Sequence, residues 1–60
     1  MMAMFHDYYE GSARVVTEAG ATITLPNALL LSAGLRDLRS GQRLIVSLDA
    51  DGMPHEVRLP

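Results

Sequence analysis

The sequence predicts an all-β fold, a single small, five-stranded, partly open barrel. Three observations carry that expectation. Turn-forming residues recur at Gly11, Gly20, Pro26, Gly34, Gly41, Gly52 and Pro54, which leaves little room for a long helix. The segments between them are short, rich in β-branched residues and alternate in polarity. A chain of 60 residues with 48% hydrophobic content holds one domain and enough apolar side chain for one core.

The elements follow in order. Met4-Phe5-His6 can supply a first strand. In Ala13–Thr17, Ala13, Val15 and Thr17 face one way, Arg14 and Val16 the other. Glu18-Ala19-Gly20 reads as a hairpin loop, with Gly20 free to take positive φ. Ala21–Leu25 places Ile23 and Leu25 on one face and Thr22 and Thr24 on the other. Pro26 ends that strand or sits on a sheet edge. Asn27–Ser32 fits a single helical turn capped by Asn27 and stopped by Gly34. Continuing that helix to Arg39 would cost about 1 kcal/mol at Gly34. Leu35–Gly41 is expected as an ordered loop pinned by Leu35 and Leu38. Leu44, Val46 and Leu48 alternate with Arg43, Ile45 and Ser47 in the clearest strand. Asp49-Ala50-Asp51-Gly52 is a strong turn, so Leu44–Leu48 and His55–Leu59 form a hairpin. Five short strands with a long loop before the fourth fit an OB-type barrel.

Composition excludes several classes. There is no cysteine, hence no disulfide and no thiolate metal site. Stability must come from a compact core, a partner or self-association. His6 and His55 lack further ligands at zinc spacing, and Asp49-x-Asp51-Gly52 lacks the distal glutamate of a calcium loop. No metal or cofactor is expected. No glycine-rich phosphate loop opens a helix, no serine sits in a nucleophile elbow, and lysine is absent, so no enzyme is expected. Met1-Met2-Ala3-Met4 lacks the basic and apolar regions of a signal peptide, and the apolar run Ala28–Leu31 is far too short to span a membrane. No membrane partner and a cytoplasmic location are expected. All five basic residues are arginine, and the net charge is −2, the reverse of the usual nucleic-acid footprint.

Gly34-Leu35-Arg36-Asp37-Leu38-Arg39-Ser40-Gly41-Gln42-Arg43-Leu44 resembles the stretch before the fourth strand of bacterial cold-shock domains. Ile23-Thr24-Leu25-Pro26, followed by Asn27-Ala28-Leu29, sits where that family carries its second ribonucleoprotein motif. Glu10-Gly11-Ser12-Ala13-Arg14-Val15 sits at the place of the first, and Phe5 at the place of the strand-one tryptophan. The resemblance covers Met4 to Leu59. It implies an OB-type barrel that binds single-stranded RNA or DNA through outward aromatic side chains. Here those outward positions hold Ser12, Arg14, Thr24 and Pro26. Base stacking contributes about 1–3 kcal/mol per base, so losing three or four rings weakens binding by roughly 10³-fold or more.

The resemblance therefore implies a weak single-strand binder using Phe5, Tyr8, Arg14, Thr24, Arg36 and Arg39, with Phe5, Tyr8 and Tyr9 the only aromatic residues. For Arg14, pairing with an acid on a solvated strand is the competing expectation. A second reading keeps the barrel but docks a protein partner, or a second copy as a homodimer, on the altered face. A third is a swapped-hairpin DNA-binding dimer of the AbrB type, which Gly20-x-x-Ile23-Thr24-Leu25-Pro26 and Gly41-x-x-Leu44 also resemble, although that family's N-terminal basic residues are largely missing.

Overall fold

The computed structural model describes all 60 residues, Met1–Pro60. Five strands and one short helix follow the chain as β1 (Met2–Tyr9), β2 (Ser12–Thr17), β3 (Thr22–Pro26), α1 (Asn27–Ser32), β4 (Arg43–Leu48) and β5 (Pro54–Arg58). They form one antiparallel sheet in the order β3-β2-β1-β4-β5. The sheet is barrel-like, with β3 and β5 as its two edges and α1 packed against both of them. This is the all-β, five-stranded class that the sequence predicts.

Each element contributes to one core. Ala3 and Phe5 come from β1, Ala13 and Val15 from β2, Leu25 from β3, Leu30 from α1, Leu44 and Val46 from β4, and Val57 from β5. Ile23, Leu29, Leu35, Leu38 and Leu48 pack around it, and no polar side chain is buried. Leu35 and Leu38 thus pin the loop before β4 as expected.

β1 is longer than the three residues the sequence suggests. It is the central strand, and it carries an irregularity that the alternation does not show. Phe5 pairs with Val15 but Asp7 pairs with Arg14, so His6 is the extra residue of a β-bulge. The bulge resets the pleat. Phe5 and Tyr8, three residues apart, come to share a face, and Asp7 and Tyr9 share the opposite one with Arg14. The β1–β2 turn is Glu10-Gly11, with φ of 47° and 77°. Positive φ at both residues of a two-residue loop suits the twist of a hairpin.

α1 begins differently from the expectation. Pro26, not Asn27, stands at the N-cap position, and no side chain caps the helix. At the other end, the Leu35 N–H donates to the Leu30 carbonyl at 2.9 Å and the Gly34 N–H to the Leu31 carbonyl at 3.0 Å. This is a Schellman motif with Gly34 in the left-handed position, φ 74°. It stops the helix where the sequence predicts. The β4–β5 hairpin also matches its expected turn. Asp49 Oδ1 accepts from the Asp51 and Met53 N–H groups at 2.9 and 3.0 Å. β5 ends at Arg58, and both His55 and Leu59 are exposed, so Val57 alone carries the inward face of that strand.

Candidate binding cleft

The N-terminal hairpin, α1 and the loop that follows α1 converge at one end of the barrel. There they enclose an open cleft of about 620 Å³. One wall is Tyr8, Gly11 and Ser12 from the β1–β2 hairpin. Asn27 and Leu31 of α1 form the floor, and Leu35, Arg36 and Asp37 form the far side. Asp37 adopts φ 53°, which fixes the bend of the far loop. Tyr8 ties the two walls together, because its Oη accepts the Leu38 N–H at 3.2 Å.

The aromatic residues divide between core and cleft. Phe5 is only 4% exposed and belongs to the core. The resemblance placed it among stacking residues, and the structure corrects this, because its ring faces inward opposite Val15. Its inner neighbour is Tyr8, at 4.7 Å between centroids and 57° between planes. That tilted contact holds Tyr8 in place while leaving it 46% exposed at the cleft. Tyr9 is 54% exposed on the outer face.

Arg14 lies in the outer row with Asp7 and Thr24, its register partners on either side. Its Nε donates to Asp7 Oδ1 at 2.6 Å, and its Nη2 donates to Asp7 Oδ2. The pair is bidentate, which is the stronger geometry for a guanidinium and a carboxylate. The hydrogen bond from Arg14 holds the Asp7 carboxyl below its usual range, and the same bond raises Arg14. His6 Nε2 stands 3.9 Å from Asp7 Oδ2. The guanidinium carbon of Arg14 also lies 4.8 Å from the centre of the Tyr9 ring, within cation–π range. Arg14 is therefore the acid-paired strand residue that was the competing expectation, and its charge is largely neutralised for an incoming phosphate.

Among the remaining expected residues, Thr24 is exposed beside Arg14, outside the cleft, and Arg36 lines the cleft. Arg39 lies on the same loop and is exposed, but it does not line the cleft. The structure thus brings Tyr8 and Arg36 together at the cleft, with Phe5 packed against Tyr8 in the core and Thr24 and Arg39 outside the cleft. Asn27, Ser12 and Asp37 complete the polar lining. Sequence reading missed them as a group because only the Schellman turn and the left-handed Asp37 bring them together. No three His, Asp or Glu side chains cluster as metal ligands, and no helix is long and apolar enough to cross a membrane. Comparison of the chain with family models, with curated proteins and with solved structures gives no match.

Proposed function

We propose that this chain is a small non-enzymatic module that binds single-stranded RNA or DNA weakly, at the cleft formed by Tyr8 and Arg36. The observation that carries this reading is a half-exposed tyrosine ring, fixed by Phe5 and Leu38, beside an arginine with no ion pair of its own. The cold-shock resemblance points to the same ligand, and OB-type barrels use the loop between their first two strands in binding oligonucleotides. The one stacking ring at the cleft, Tyr8, supplies about 1–3 kcal/mol, so affinity in the millimolar range or weaker is expected. Few phosphates are neutralised, since Arg14 is committed to Asp7. With Arg36 the one arginine that lines the cleft, the slope of log K against log salt is expected near −0.7, about one phosphate.

The test is an anisotropy titration of labelled oligothymidine at low and moderate salt. Tyr8→Ala should weaken binding about 5- to 150-fold, the equivalent of one stacked base. Absence of wild-type binding at low salt, or equal affinity in Tyr8→Ala, overturns the reading.

A second reading, a protein-docking module of the same fold, is favoured by one observation. The outer face of β2 and β3 presents Ser12, Arg14, Thr24 and Pro26 with no ring, and Asp7 cancels the charge of Arg14 there. Loss of nucleic-acid binding in the titration above would favour it. A third reading, the swapped-hairpin DNA-binding dimer of the AbrB type, would be favoured by duplex preference of an obligate dimer in the same titration run with duplex DNA.

A further inference from the structure

Asp37 is the one acidic side chain that lines the cleft, and the proposed ligand is a polyanion. A carboxylate there opposes phosphate, since like charges brought together are unfavourable. The fold itself does not call for the acid. Asp37 holds a left-handed backbone conformation, φ 53°, that glycine adopts without steric cost. It is exposed, forms no ion pair, and its carboxylate accepts no hydrogen bond from the chain.

Tyr8 fixes where that carboxylate stands. The Tyr8 Oη accepts the Leu38 N–H at 3.2 Å, and that nitrogen belongs to the peptide group following Asp37. Asp37 therefore lies at the hydroxyl end of the ring. A base stacked on the ring can turn its Watson–Crick edge to that end, as bases bound in single strands do. The four bases differ in what this edge offers. A carboxylate only accepts hydrogen bonds, and its two oxygens are best met by two adjacent donors. Guanine has them, in N1–H and the N2 amino group. Adenine and cytosine each set one amino group beside a ring nitrogen that is itself an acceptor. Thymine and uracil set one N–H between two carbonyl oxygens. In those four bases an acceptor faces a carboxylate oxygen.

We infer that Asp37 makes the cleft selective for guanine, with N1–H and N2–H donating to its two carboxylate oxygens while the base stacks on Tyr8. Arg36 is left for the phosphate, and the cost of placing an acid beside a polyanion is offset only when that base is present. The selection rests on the reading that single-stranded nucleic acid occupies the cleft, and it names the base that reading leaves open.

Chemical-shift titration of the ¹⁵N-labelled chain at low salt tests it, because the method reaches millimolar Kd. The ligands are the pentanucleotides TTTTT, TTGTT, TTCTT, TTATT and TTITT, the last with inosine, which keeps N1–H and lacks the N2 amino group. The wild type should bind TTGTT about 5- to 150-fold more tightly than TTTTT, the discrimination of one good bidentate pair. TTCTT, TTATT and TTITT should fall well short of TTGTT. Asp37→Asn keeps the size of the side chain and tolerates the same backbone conformation, but presents one acceptor and one donor. It should bring the ratio of TTGTT to TTTTT affinity to within about twofold of one, and Asp37→Gly should do the same with no strain on the turn. The ratio is the reading, because loss of a negative charge raises affinity for every strand alike. A wild-type ratio near one with TTTTT still bound at Tyr8, equal gain from cytosine, or a guanine preference that survives Asp37→Asn overturns the inference and leaves the cleft reading standing. Absence of binding by all five strands overturns both.

Discussion

Phe5→Leu separates two accounts of the same residue. If Phe5 were a surface stacking residue, its replacement by leucine would change stability by no more than about 0.5 kcal/mol, as surface substitutions do, and would weaken nucleic-acid binding. The structure instead buries Phe5 at 4% exposure, between Val15 and the Tyr8 ring. A hydrophobic exchange of similar volume in such a place costs about 1 kcal/mol, and truncation to alanine about 3–5 kcal/mol. A 60-residue domain has only about 3–9 kcal/mol of stability. Phe5→Ala should therefore leave much of the chain unfolded, while Phe5→Leu should lower Tm by roughly 4–8 °C. Thermal unfolding followed by circular dichroism, with a urea titration for the free energy, is the assay. A Phe5→Ala variant with wild-type Tm refutes the core assignment.

Three further outcomes follow from named contacts. Asp7 titrates below the ordinary carboxylate value of 3.8 because of its hydrogen bond to Arg14, so the pair stabilises the fold above that value and the contribution is lost as pH falls through the folded pKa. Asp7→Asn should accordingly flatten the acid limb of a Tm-against-pH profile, and an unchanged acid limb would contradict the pairing. Gly34→Ala forces an L-residue into the left-handed Schellman position, where an added Cβ meets nothing within 4 Å; the cost is conformational alone, about 1 kcal/mol, read as a lower urea midpoint. Tyr8→Phe keeps the ring but removes the acceptor of the Leu38 N–H, so stability should fall by less than about 1 kcal/mol while oligothymidine affinity stays within about twofold.

The legible parts of the fold are those with unbroken local patterns. The β4–β5 hairpin was readable because Leu44, Val46 and Leu48 alternate strictly and Asp49–Gly52 is a specific turn. The end of α1 was readable because Gly34 alone there tolerates positive φ. β1 was not, for a physical reason. Its bulge at His6 puts Phe5 and Tyr8 on one face at a spacing of three, which a period of two assigns to opposite faces. The same bulge aligns Asp7 with Arg14, and nothing local marks a pair seven residues apart. The site inherits both effects. Tyr8 and Arg36 were identified from residue type and loop position. The burial of Phe5 and the neutralised Arg14 follow only from the register of β1 on β2.

The central claim is that single-stranded nucleic acid binds at the Tyr8–Arg36 cleft. Amide chemical-shift mapping tests it most directly, by titrating oligothymidine into the ¹⁵N-labelled chain at low salt. The account predicts that the largest shifts fall on Tyr8–Ser12 and on Leu35–Asp37, with the β4–β5 hairpin unmoved. An unperturbed spectrum, or shifts centred on β4 and β5, would contradict it.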